Sequence, residues 1–171
     1  MSEEEIPELT ELLDSIRFFL AQPFDIARAD PDTTAAKVRI FTAAAYYFNT
    51  LAVAEFGGRP GVPRAHGLVE QVVAAAFQTF GGVDPHPTVF DKAAMLLRGI
   101  AQGHPFNDGN KRTGFLVAVY FLELMGYPAP TPLPVDDVVD LCLAISAGAI
   151  RDVEVIAQRL QHFWNPPPTP G

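Results

Sequence analysis

The stretch GHPFNDGNKRTGFLVAVYFLELMG, Gly103 to Gly126, joins two unlike halves. The first sets a histidine, an aspartate, two asparagines, a lysine and an arginine into a predominantly apolar chain. The second is apolar on every side from Phe115 to Leu122. A helix with no polar face must be covered all round. The pattern therefore predicts a helix from about Gly109 to Met125, central to a bundle and stopped by Gly126. Its apolar run is far short of the roughly 20 residues that a membrane span requires, so it reads as a buried core helix.

Working outward, the flanking segments carry the same helical period. Thr88 followed three residues later by Asp91 forms a capping box for a helix that stops at Gly103. Upstream, helices are expected from about Ala35 to Phe56, where GGRPG ends the pattern, and from Gly67 to Phe80. Downstream, PAPTPLP reads as an extended link, followed by helices over 135–147 and 151–164. At the N-terminus, Ile6, Leu9, Leu12, Leu13, Ile16, Phe19 and Leu20 give an amphipathic helix over 6–21 with acids in its first turns. No strand-like alternation and no internal repeat is present. The fold class expected is all-α, a single-domain bundle of six or seven helices. Its divisions are an N-terminal helix and connector over 1–34, the main domain over 35–164 and a Pro-rich tail over 165–171.

Composition narrows the function. The chain has 171 residues, 49% hydrophobic and 19% charged, enough for one substantial core and unlike a disordered chain. A net charge of −8 argues against a nucleic-acid partner, which would need a cationic footprint. The single Cys142 cannot form an internal disulfide and lies in an apolar stretch, as a core residue of a reducing compartment would. The acidic start, MSEEEIPELTELL, lacks the basic then apolar pattern of a secretory signal. The expectation is a cytoplasmic protein with no membrane partner.

The polar half of the opening stretch has a chemical reading. Gly109, Asn110, Lys111 and Arg112 fall where a loop becomes a helix, so free backbone N–H groups and the positive end of the dipole face outward. Cations in a first turn oppose that dipole by roughly a few tenths of a kcal/mol each, a sign that a bound anion reverses. The stretch suits phosphate. Asp108, just before it, is placed to hold Mg²⁺, an ion that takes one or two protein carboxylates and completes its shell with water and phosphate oxygens. His104 is the side chain suited to accepting a hydroxyl proton near neutral pH. Base, metal ligand and phosphate cradle within nine residues point to phosphoryl or nucleotidyl transfer. The Walker A and protein-kinase motifs are absent.

These residues resemble the signature of the Fic/Doc (Fido) family: His-Pro-Phe, any residue, an acid, Gly-Asn, then Gly or Lys, and Arg. HPFNDGNKR, His104 to Arg112, matches at every position. The resemblance extends over roughly 45–164 through FGGRPGV, RAHGLVEQ, TFGG, FLELMGY and SAGAI. Within the family the chain is most similar to the death-on-curing (Doc) toxins. Lys111 stands where adenylylating Fic enzymes have glycine, and Phe115 where they have a further arginine. For Doc toxins the resemblance implies ATP-dependent phosphorylation of a protein hydroxyl, elongation factor Tu as the type of target, and a cognate antitoxin. It implies His104 as general base, Asp108 as metal ligand, Gly109, Asn110, Lys111 and Arg112 at the nucleotide, and Phe106 as a buried anchor. A target-docking flap is expected at GGVDPHPTVF, residues 81–90, before the helix that leads into the motif. Asn49 and Ala65 depart from the histidine and aspartate common in Doc-like sequences, so no role is carried over to them. Arg64 and Arg98 are left out of the site, and His66, His86 and His162 lack metal-ligand spacing. No Ser or Thr precedes a Glu by four residues, so the inhibitory helix of some Fic proteins is not expected and a separate antitoxin is. Three classes stay open: a Doc-type kinase toxin, a Fic-type adenylyltransferase and a nucleotide-binding module without turnover.

Overall fold

The computed structural model describes residues 34–54 and 61–164. The helix expected over 6–21 and the tail from residue 165 lie outside the described residues. Among the described residues there are six α-helices and no strand, in the order α1 (Thr34–Ala54), α2 (Leu68–Ala74), α3 (Val89–Gly103), α4 (Asn110–Leu124), α5 (Val135–Ser146) and α6 (Val153–Trp164). No helix among them is long and apolar enough to cross a membrane.

The centre is where the sequence placed it. Every side chain of α4 from Thr113 to Leu122 is buried, and α4 is wrapped by α1, α3 and α5. The second inner helix is α3, which touches α2, α4, α5 and α6. These two helices are consecutive in the chain, so the short loop between them, residues 104–109, is held from both ends by the core. They pack tightly at Gly114, where a Cβ would lie 3.0 Å from the Leu97 carbonyl oxygen and 3.2 Å from the Ala101 nitrogen. An aromatic cluster ties α1 to α4: Phe41 packs edge-on against Tyr120 at 5.7 Å and Phe121 at 5.3 Å, and stacks on Phe77 at 5.5 Å. Such ring pairs add about 0.5–1.5 kcal/mol each beyond the area they bury.

The Thr88 capping box forms as expected, with the Thr88 hydroxyl accepting from Asp91 N–H at 3.0 Å. Cys142 is buried on α5, and burial pushes its thiol pKa up to about 12 against the lowering effect of the Lys111 charge. Phe163 is buried and half-buried Trp164 donates its indole N–H to the Tyr127 carbonyl at 2.9 Å, so this pair closes the core.

One helix is shorter than the period suggests. The span Gly67 to Phe80 is helical only over Leu68–Ala74, because the chain then tightens: Ala76 N–H reaches Val73 O and Phe77 N–H reaches Ala74 O, both one residue short of the α-helical step. The tightening turns Phe77 into the core at 4% exposure. Beyond it Phe80 and Val83 exchange both backbone hydrogen bonds across Gly81 and Gly82, which have φ of 57° and 80°. Two positive φ values make the two-residue turn that matches strand twist.

Candidate active site

The loop that carries the motif begins with a backbone conformation few side chains adopt. His104 caps α3 with φ 48° and ψ 55°, and is the sole non-glycine with positive φ among the described residues. Left-handed backbone costs an L-residue about 1–2 kcal/mol, and it is sustained here by the fit of the loop on both sides. The turn lets α3 end at Gly103, with His104 N–H still bonded to Ile100 O at 3.2 Å, and throws the chain back toward α1.

The next residues are anchored one by one. Phe106 is fully buried, its ring edge-on to Tyr46 at 5.5 Å. Its backbone is clamped by Asn110, whose Oδ1 accepts from Phe106 N–H and whose Nδ2 donates to Phe106 O, both at 2.9 Å. On the outer side, Arg64 N–H bonds Pro105 O at 2.8 Å and Asn107 N–H bonds Val62 O at 3.1 Å, an antiparallel bridge centred on Pro63 and Phe106. Arg64 adds a guanidinium contact to the His104 carbonyl at 3.2 Å. From below, the buried Asn49 of α1 donates to Asp108 O at 2.7 Å and to Thr113 Oγ1 at 3.2 Å, and accepts from Gly61 N–H at 2.8 Å.

Gly109 closes the loop. Its φ of 74° admits glycine readily, and a Cβ there would stand 2.7 Å from Val53 Cγ2 and 3.3 Å from Asn49 Nδ2. The first helical hydrogen bond of α4 runs from Thr113 N–H to Gly109 O at 2.9 Å. The N–H groups of Asn110, Lys111 and Arg112 therefore precede the helix's own hydrogen-bond ladder and gather at its positive end. Lys111 and Arg112 are half-buried in this first turn, His104 is half-buried, and Asp108 is exposed. Phe115, one turn on, is 1% exposed and belongs to the core.

The residues singled out from the sequence thus share one loop and the helix end that follows it. Three readings change. The Asn110 side chain is committed to Phe106, so Asn110 can meet a ligand through its backbone N–H while its amide shapes the loop. Asn49 and Arg64, neither of them expected at the site, both bond the motif directly. The expected flap at 81–90 stands at the other end of α3: Asp84 pairs with Lys92 at 2.6 Å and Thr88 caps that helix, whereas His104 ends it. Fifteen residues of α-helix span about 22 Å. The segment that runs beside the motif is 61–64.

This arrangement has a known counterpart. The sequence model of the Fic/DOC family matches residues 43–122, from within α1 to near the end of α4, with the whole loop inside. The chain belongs to this family. It is 38% identical over 108 residues to Toxin Doc of Mycolicibacterium smegmatis, an alignment covering 63% of this chain and 82% of that protein. It is 28% identical over 118 residues to Protein kinase doc of Escherichia phage P1, covering 66% of this chain and 84% of the phage protein. A Fido domain-containing protein of Dictyostelium discoideum is 32% identical over 72 residues, covering 41% of this chain and half of its own length.

Proposed function

We propose that this protein is a Doc-like toxin of a toxin–antitoxin pair, acting in the cytoplasm through residues 35–164, which transfers the γ-phosphoryl group of ATP to a hydroxyl of a protein target and so blocks translation. The target is elongation factor Tu. The observation that carries the reading is the α4 N-terminus: Lys111 fills the position next to Asn110 and Arg112, while Phe115, the position that would add a cation for the adenylylating orientation of ATP, faces the core at 1% exposure. The names of the mycobacterial and phage relatives, a toxin and a protein kinase, support it.

In this reading His104 takes the proton of the target hydroxyl while that oxygen bonds to the γ-phosphorus. The bond from the γ-phosphorus to its bridging oxygen breaks, and ADP leaves with the electron pair. The N–H groups of Gly109, Asn110, Lys111 and Arg112, with the two cations, hold the phosphates in place. They also meet the charge that develops on the transferring group. Asp108 would hold Mg²⁺, which neutralises phosphate charge when bound. One exposed carboxylate fits that ion, which relies on phosphate and water for its other ligands. No cluster of three or more His, Cys, Asp or Glu able to hold a metal exists among the described residues, so a closed protein cage does not fit.

The test is to incubate purified elongation factor Tu with the protein and Mg²⁺-ATP and map the product by mass spectrometry. A phosphorylated serine or threonine, absent with His104→Ala, is the result expected. An AMP adduct would favour adenylyl transfer, and an unmodified factor alongside another modified protein would replace the target. Expression in a bacterial host without antitoxin should arrest growth, and His104→Ala should not.

A further inference from the structure

We propose that Asn49 is a positioning residue for the nucleotide site, setting the Asp108–Gly109 peptide from inside the fold so that the Gly109 N–H faces phosphate. The proposal rests on reading the loop as a nucleotide site, and adds to it a residue 59 positions away from Asp108.

Asn49 sits in α1 at 0% exposure among alanines and aromatics. A buried amide left unbonded costs about 1–3 kcal/mol, and an apolar residue would suit this face of the helix better. The amide is instead fully used, its two donors on Asp108 O and Thr113 Oγ1 and its acceptor on Gly61 N–H. These partners are not neighbours of one another in sequence. They are the peptide that follows the carboxylate, the first turn of α4, where Thr113 is itself fully buried, and the start of the segment paired with residues 105–107. One side chain holds three walls of the loop in register.

The consequence for the ligand follows from the planar trans peptide, in which C=O and N–H point in opposite directions. The Asp108 carbonyl is drawn inward to Asn49 at 2.7 Å. The Gly109 N–H must then point away from α1, and Gly109 lies directly before the N–H groups of Asn110, Lys111 and Arg112, which precede the hydrogen-bond ladder of α4. Successive outward N–H groups at such a turn form an anion-binding concavity. If the Asn49 donors are lost, this peptide is free to rotate, and both the Gly109 N–H and the direction in which the Asp108 chain projects lose their restraint.

The test is calorimetric titration with Mg²⁺ and a non-hydrolysable ATP analogue, combined with amide NMR of the wild type. In the wild type the Gly109 amide resonance should shift strongly on binding. Asn49→Asp keeps the shape and removes the donors, and should weaken binding at least tenfold with a matching rise in the Mg²⁺ needed for half-saturation. Asn49→His, whose neutral ring offers one donor to Asp108 and one acceptor to Gly61, should stay within about threefold of wild type. Leu160→Ala on α6, a core truncation on the helix that packs against α3 and lines a cleft with Thr88 and Phe90 at the end of α3 remote from His104, should lower stability and leave binding unchanged. Binding without a Gly109 shift, or Asn49→Asp binding as wild type, or Leu160→Ala weakening it equally, would overturn the positioning role while leaving the nucleotide site in place. A wild type that does not bind Mg²⁺-nucleotide would instead overturn the site on which the proposal rests.

Discussion

Replacing Gly109 by alanine tests how tightly α1 backs the motif loop. Two costs arise. The left-handed φ of 74° penalises a Cβ by about 1–2 kcal/mol, offset by the roughly 0.5–1 kcal/mol that glycine loses through its freedom in the unfolded chain. The new methyl would also meet Val53 Cγ2 at 2.7 Å, a contact that must be relieved by moving something. Val53 is 2% exposed and its branched side chain has little rotamer freedom, so the cost is that of overpacking, about 1–3 kcal/mol. The sum is about 3 kcal/mol, or a fall in Tm of about 6–12 °C for a chain of this size. Val53→Ala alone removes two methyl groups at ~0.8 kcal/mol each plus a cavity term. The double variant should recover the overpacking part, so a double-mutant cycle by denaturant unfolding should show coupling of at least about 1 kcal/mol. Strict additivity would refute the close approach of α1 to Gly109, and with it the rigid backing of the loop.

Other outcomes follow from the same geometry. His104→Ala should abolish transfer with little change in stability. His104→Gly should be equally inactive yet about 1 kcal/mol more stable than the alanine variant, because glycine relieves the left-handed backbone; equal unfolding midpoints for the two would deny that strain. Lys111→Ala and Arg112→Ala should each lower nucleotide affinity, and the difference from wild type should shrink as salt rises, which titration at two ionic strengths reads directly. The Asp84 carboxyl is held below the ordinary range, first by its hydrogen bond from Lys92, and burial holds the His86 imidazole below its own. Both groups bind protons more readily unfolded, so stability is lost as pH falls, beginning near pH 6.5 for His86 and below about pH 4 for Asp84. Thermal melts of Asp84→Asn across that range should show a shallower acid loss than wild type. Cys142, buried with its thiol pushed up to about 12, should resist alkylating reagents until the protein unfolds; rapid labelling of the native state would contradict its burial.

The features legible from sequence are those written in local pattern. The all-apolar face of Phe115 to Leu122, the Thr88–Asp91 box and the signature from His104 to Arg112 each lie within a turn or two of chain, and the fold keeps them. The contacts that sharpen the site are not local. Asn49 reads as one polar residue in an apolar helix, and only folding brings it beneath Asp108, 59 residues on. Arg64 is one arginine in a loop until residues 62–64 pair with 105–107. The inward turn of Asn110 depends on Phe106 being buried beside it, and the early end of α2 on Phe77 finding the α4 aromatics. The flap expected at 81–90 rests on the family resemblance, and its residues give a turn but not its distance from the motif: the Thr88 cap holds it at the end of α3 opposite His104.

Phosphoryl transfer from the His104–Arg112 loop to a protein hydroxyl can be followed by incubating the protein and elongation factor Tu with Mg²⁺-ATP labelled at the γ phosphate and, separately, at the α phosphate. Protein-bound label should come from the γ position alone and be lost in His104→Ala under conditions where that variant still binds nucleotide. Label from the α position, or γ label undiminished in His104→Ala, would contradict it.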